Sequence, residues 1–360
     1  MFETIKIENF RGMKELEIIG LKQFNLLVGK NESGKTSILE ALFLLVNPAN
    51  SLLVHRINLF RNLKKIDSTI LEVLFYKEIF NKGIRLKAEL NDPRETRELI
   101  ITPIKNNRIV RIENTNKEIK KDKYYYSTED SSEDMSKITG IEMLYNYFSN
   151  DCHKEFFSKI ILEGANLTFK NDKEYKEKWN GIFICEGTIF DNLINSLNEL
   201  QISKKMNRVI QILKKIEPSI KSLEIGAENV IYCDIGLRRL VPINILGMGL
   251  IKILHIISSI ISRKNGIVFI DEIENGLYYQ SQKILWDAIF ETSLDYNVQI
   301  IATTHSIECL RAYSMQYNKY IRNKDNLRLF RIEKENDKID VATYNYNKLI
   351  SSIDMQWEVR

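Results

Sequence analysis

The chain lacks several features that would narrow its class at once. It has no long uninterrupted hydrophobic run: the most apolar stretch, Leu250 to Ile261, is broken by Lys252 and His255 and is too short to span a bilayer. Charges sit where a secretory leader needs an apolar core, as in MFETIKIENF at the N-terminus, so an intracellular, cytoplasmic chain without membrane contact is expected. Only four cysteines occur, Cys152, Cys185, Cys233 and Cys309, scattered without metal-like spacing, which speaks against a disulfide scaffold or a zinc site and for reduced thiols. Charge of one sign is also missing: 52 basic against 48 acidic residues leave +4, so overall charge does not point to nucleic acid and any such contact would need a local basic face. What remains is ample apolar content, 44% of 360 residues, enough for about two domains or one large domain with an insertion.

The most specific feature present is the run Gly29-Lys30-Asn31-Glu32-Ser33-Gly34-Lys35-Thr36, followed by Ser37. It fits G-x-x-x-x-G-K-[ST] and lies between a strand-like run, Phe24 to Val28, and a helix-like stretch, Ser37 to Val46. Glycines let successive backbone N–H groups face the phosphates of a nucleoside triphosphate. Lys35 can reach the β- and γ-phosphates, Thr36 can hold Mg²⁺, and the helix aims its positive end at both.

Strands are predicted at Glu3 to Glu8, Glu15 to Ile19, Ile70 to Phe75, Ile84 to Ala88, Leu99 to Pro103 and Arg108 to Ile112. Asn114 to Lys137 is polar and nearly free of aliphatic residues, which predicts an exposed linker, and its Lys117 to Lys123 cluster a solvated surface. From Gly140 to Ser222 apolar residues recur at three- and four-residue spacing, as in Leu193, Leu197 and Leu200, and helices are expected. The organisation predicted is therefore an α/β nucleotide-binding core, residues 1–113 and 226–360, split by a linker and mostly helical insertion over 114–225.

Two later segments carry chemistry. Ile267 to Ile270 is wholly apolar, as a strand buried on both faces requires, and ends in Asp271 and Glu272. Asp271 can bind Mg²⁺ with Thr36, and Glu272 can polarise the attacking water as general base. A second apolar strand, Val298 to Thr303, runs into Thr304-His305-Ser306, where His305 could hydrogen-bond the γ-phosphate or the water. Gly247-Met248-Gly249 opens the helical run Leu250 to Ser262 and offers N–H groups to an anion, or simply a turn that lets a helix pack closely.

Phosphate loop, glycine-opened helix, carboxylate-ended strand and histidine-ended strand follow in the order of an ABC-type ATPase. More narrowly, the chain resembles the stand-alone ATPases of the OLD-related group, with RecF and SMC-type heads as more distant relatives. The resemblance rests on Ile5-Lys6-Ile7-Glu8-Asn9-Phe10-Arg11-Gly12, on Asp271-Glu272-Ile273-Glu274-Asn275-Gly276-Leu277, on Thr303-Thr304-His305-Ser306-Ile307-Glu308-Cys309 and on the ending Glu358-Val359-Arg360. It implies that Gly247 to Gly249, preceded by Asn244, form a signature motif acting on the nucleotide of a second subunit. It also implies that Glu274, Asn275 and Gly276 form a D-loop at a dimer seam and that Arg11 contacts the phosphates. The chain departs from the pattern in lacking the transporter-type signature, in Tyr278 where relatives carry histidine, and in having no glutamine between Gln23 and Gln201 for a Q-loop. Expected cofactors are ATP and Mg²⁺, and expected partners a second copy, in a head-to-tail dimer or larger even oligomer, and a separately encoded protein effector. With about fifty residues after His305, no TOPRIM domain and no nuclease activity of its own are expected. The biology implied is anti-phage defence through a TOPRIM-like effector, with a RecF-like DNA-repair ATPase binding DNA directly as the alternative.

Overall fold

The computed structural model describes residues 1–64, 66–91, 94–105, 108–109, 138–149, 152–164, 166–177, 179–188, 193–320 and 325–355. The expected linker from Asn114 to Lys137, with its lysine cluster, and the ending Glu358 to Arg360 lie outside the described residues.

In chain order, β1 (Phe2–Phe10), β2 (Met13–Ile19) and β3 (Phe24–Val28) precede helix α1 (Lys35–Val46). Helices α2 (Leu52–Phe60) and α3 (Thr69–Glu72) lead to β4 (Ile84–Asn91), β5 (Arg94–Lys105) and the short β6 (Arg108–Ile109). Next come β7 (Gly140–Ser149), β8 (Cys152–Glu163), β9 (Asn166–Lys170) and β10 (Gly181–Ile184), then α4 (Leu193–Ile202) and α5 (Met206–Leu213). Strands β11 (Ser222–Ile225), β12 (Ile231–Asp234) and β13 (Val241–Pro242) lead to α6 (Met248–Ser262) and β14 (Ile267–Ile270). The chain closes with α7 (Tyr279–Tyr296), β15 (Gln299–Thr303), α8 (Ile307–Tyr317), β16 (Leu327–Glu335), β17 (Lys338–Asn345) and α9 (Tyr346–Asp354).

The chain divides into two compact units. The first comprises Met1–Leu21, Thr36–Lys178 and Glu333–Val341. Its frame is an antiparallel sheet ordered β2-β1-β4-β5-β7-β8-β9, with β6 paired to β5. Alternation sets its faces: in β1 Ile5 and Ile7 are buried while Lys6 and Glu8 stay wetter, and in β4 Ile84, Leu86 and Ala88 are buried.

The second unit comprises Lys22–Lys35, Trp179–Ile332 and Ala342–Arg360. The sheet that frames it is ordered β10-β14-β15-β3-β16-β17, with β10, β14, β15, β3 and β16 parallel neighbours. All four residues of β14 are fully buried, as a strand covered on both faces demands. Helix α6 supplies Leu250, Ile253, Leu254 and Ile257 to the same core as Val268, Ile270 and Ile300. A three-stranded antiparallel sheet, β11-β12-β13, precedes it.

Two local expectations are corrected. The stretch from Gly140 onward, read as helical, holds strands β7, β8 and β9: β7 pairs with β5 through Leu99↔Tyr145 and Ile101↔Met143, and β8 and β9 extend the sheet. Apolar residues at Ile141, Met143 and Tyr145 also fit a two-residue period, and a ready partner edge decides between the periods. Among its described residues the insertion carries its α-helices in the later part, where α4 and α5 pack Leu197, Leu200, Val209 and Ile212 into the second unit's core. Ile70 to Phe75, read as strand, begins as α3 because the Asp67 carboxylate accepts the Thr69 N–H at 3.0 Å and favours a helical start. Only Phe75 keeps extended pairing, with Phe10.

Candidate nucleotide site

The phosphate loop leaves β3 at Gly29, whose φ is +146°. A Cβ there would stand 2.3 Å from the Ile332 carbonyl oxygen on β16, so only glycine lets the two backbones run this close. Gly34 also has a positive φ, +100°, and Glu32 adopts the left-handed region at +64°. Lys30, Asn31 and Glu32 are exposed and Ser33 is buried. The Lys35 ammonium donates to the carbonyls of Gly29 at 2.8 Å and Lys30 at 2.9 Å, so the lysine spans the loop it follows. Burial lowers its pKa, and Asp271, Glu272 and Glu274 oppose that shift. The expected acids and the phosphate-loop lysine thus share one electrostatic neighbourhood in the second unit.

At the C-terminal end of β14 the chain turns sharply. The Thr303 hydroxyl, on β15, donates to Asp271 Oδ1 at 2.6 Å and accepts the Glu272 N–H at 2.8 Å. The Ile273 N–H donates to the Thr303 carbonyl at 3.0 Å. Glu272 is exposed, with φ +47°, and its Oε2 accepts from the Asn275 side chain. From α6, the Lys252 ammonium donates to the carbonyls of Glu272 at 2.6 Å and Asn275 at 3.0 Å. Burial lowers the Lys252 pKa, against the pull of Glu274 and Glu272.

Glu274 is 8% exposed. Its Oε1 accepts the His305 main-chain N–H at 2.8 Å and lies 3.0 Å from His305 Nδ1, while the imidazole is half exposed. Gly247, with φ +104°, caps α6 without any capping side chain, and Met248 beside it is half exposed. The first N–H groups of that helix are thus open to an anion. Asn244 stands exposed in a short 3₁₀ turn, Ile243–Leu246, ahead of it. A Cβ at Gly249 would meet the Gly276 carbonyl oxygen at 2.8 Å, so the first turn of α6 lies against the loop after β14.

Three expected residues belong to the first unit. Thr36 continues the motif as the second residue of α1. Ser37 is buried and its hydroxyl accepts from Arg61 Nη2 at 3.0 Å. The Arg11 guanidinium is buried and donates to Glu40 at 3.1 Å, Asn58 at 2.8 Å and the Val73 carbonyl at 3.4 Å. Every nitrogen of that group has a protein acceptor, so Arg11 organises the interior around α1.

Sequence reasoning missed Thr303 and Lys252. A threonine closing an apolar strand two positions before His305 carried no distinct signal. The lysine interrupting an apolar helix one turn after two glycines was such a signal, since a buried cation must find acceptors.

Among the described residues no group of three or more His, Cys, Asp or Glu side chains could hold a metal, and no helix is long and apolar enough to cross a membrane. The AAA ATPase domain family matches residues 1–310. A Helicobacter pylori protein named ATP/GTP phosphatase is 23% identical over 374 residues, covering 96% of this chain and 95% of that protein. The Rad50 ATPase of DNA double-strand break repair from Pyrococcus abyssi is 26% identical over 242 residues, covering 60% of this chain but 25% of its own length. Among solved structures, an SMC head bound to the C-winged helix domain of ScpA shares the fold with a TM-score of 0.51 at 13% identity, over 97% of this chain and 99% of that one. With the family matched across most of its length, this chain belongs to the AAA ATPase domain family.

Proposed function

We propose that the chain is a Mg²⁺-dependent ATPase of the OLD-related group that works as a head-to-tail dimer and controls a separately encoded effector in anti-phage defence. The observation that carries the ATPase reading is the placement of Lys35 in the field of Asp271 and Glu272, with Glu272 exposed at the end of a buried parallel strand. The Lys35 ammonium, now on the carbonyls of Gly29 and Lys30, has phosphate oxygens as stronger acceptors to turn to. Thr36, in α1, and Asp271, at the end of β14, each carry a hard oxygen donor of the kind Mg²⁺ takes alongside water and phosphate. A Mg²⁺ held by such oxygens would offset the negative charge of the bound phosphates.

Glu272 accepts the proton of the attacking water, and His305 assists from the C-terminal end of the neighbouring parallel strand β15. The uncapped start of α6, Gly247 to Gly249 with Asn244, offers N–H groups to the γ-phosphate held by a second copy. The loop Glu274 to Gly276 lies beside it. Membership of an ATPase family supports nucleotide use, and the defence role rests on analogy with relatives.

The match to the Pyrococcus abyssi Rad50 ATPase favours one second reading, a repair-type ATPase that binds duplex DNA itself. Phosphate release from Mg·ATP tests the first claim: wild type turns over and Glu272→Gln binds ATP without hydrolysis. Equal turnover by Glu272→Gln refutes the assignment. Salt-dependent binding of duplex DNA by the pure chain selects the second reading over the first.

A further inference from the structure

We propose that Glu274 is the positioning residue of His305, holding the imidazole as its Nδ1-protonated tautomer so that Nε2 meets the attacking water as an acceptor. This rests on the ATPase reading above. One carboxylate oxygen, Glu274 Oε1, serves His305 twice, at its main-chain N–H (2.8 Å) and at ring Nδ1 (3.0 Å). The first bond fixes the backbone at the end of β15, and the second fixes the rotation of the ring. A carboxylate only accepts, so the proton between Glu274 and the ring sits on Nδ1. The neutral imidazole then carries its lone pair at Nε2. Such a nitrogen can accept from a water O–H but cannot donate to a phosphate oxygen, which narrows what His305 does when neutral.

The surroundings of Glu274 fit this task. It is 8% exposed, and its other oxygen, Oε2, is buried with no hydrogen-bond partner. The loop that carries it is pinned on both sides, because Lys252 holds the carbonyls of Glu272 and Asn275 at 2.6 and 3.0 Å. A seam residue reaching for a second subunit would need an exposed carboxylate, and this one faces inward.

The test uses the full chain labelled with ¹⁵N-histidine, with the His305 signals assigned by their loss in His305→Gln. In wild type, Nδ1 is expected to show the protonated and Nε2 the unprotonated signature. Glu274→Leu, which cannot accept, is expected to lose that tautomer and to lower kcat at least about tenfold, with KM within about twofold. Glu274→Gln, which keeps a carbonyl acceptor, is expected to restore the tautomer and part of kcat. In a His305→Gln background, Glu274→Leu is expected to cost less than about twofold more, since two residues acting as one are not additive. A wild-type ring protonated at Nε2 overturns the proposal without any variant, and so do additive losses in the double variant. The tautomer is read without turnover, so a chain that hydrolyses no ATP refutes the ATPase reading and leaves this result standing on its own.

Discussion

The Lys252 ammonium, one turn into α6, donates to the main-chain carbonyl of Glu272 at 2.6 Å. A buried cation from one helix thereby grips the residue proposed as general base, while Thr303 holds that residue's N–H from β15. Glu272 has φ +47°, a conformation that costs a non-glycine residue about 1–2 kcal/mol, and the two grips offset that cost.

Lys252→Met should therefore release the Glu272 and Asn275 carbonyls and lower unfolding stability by about 2 kcal/mol, as lost buried hydrogen bonds to a charge do. Urea titration checks the stability, and a larger proportional fall in kcat than in ATP affinity checks the grip on Glu272. An unchanged kcat would show that the lysine serves packing alone.

Lys35→Ala should weaken ATP binding by about 2–3 kcal/mol, since it removes charged hydrogen bonds to phosphate. Calorimetry reads this directly, and equal affinity in variant and wild type would remove Lys35 from the nucleotide site.

Mixing Lys35→Ala with Met248→Asp tests whether the signature acts on the nucleotide of a second copy. Met248 is 50% exposed at the start of α6, so a carboxylate there repels phosphate without disturbing the core. Gly249 is a poorer probe, because any Cβ there meets Gly276 within the same chain. In a mixed head-to-tail dimer one site carries both defects and the other is intact, so activity should return toward about half. No recovery in a mixture shown to form mixed dimers would exclude the arrangement.

His255 should make stability fall on acidification. The ring is fully buried in α6 with neither nitrogen paired, and burial, then Arg263, pushes its pKa down to about 4. Above the ordinary value of 6.5 the ring is neutral in both states. Between 6.5 and about 4 the unfolded chain takes a proton that the folded chain refuses, so stability is lost through that window by about 3 kcal/mol in all. His255→Leu should remove that part of the pH dependence and stabilise the protein at neutral pH. Parallel wild-type and variant unfolding curves from pH 7 to 4 would refute the assignment.

Arg11→Ala should destabilise the fold by about 3 kcal/mol, because Glu40 stays buried after losing one of its two arginines, leaving Arg61 alone. Its ATP affinity should match wild type if folded protein is compared. A selective loss of affinity at full stability would return Arg11 to the phosphates.

The sequence by itself determined the local chemistry. Gly29 to Thr36, the apolar strand ending in Asp271-Glu272, and the paired glycines ahead of an apolar helix are legible because each needs particular residues at adjacent positions. The helix over Leu193 to Ile202 and the buried strand Gln299–Thr303 follow for the same reason, since their periodicity or continuous apolarity is strong. Only the tertiary structure decided whether Gly140 to Lys170 forms helix or strand, because its apolar residues fit both periods and the free edge of β5 settles the choice. The fates of individual side chains were equally non-local. Arg11 goes to Glu40, Lys252 to the Glu272 carbonyl and Glu274 to His305, each through a partner far along the chain. A motif specifies which groups a site requires, whereas buried charges answer to whichever acceptors the folded neighbours leave within reach.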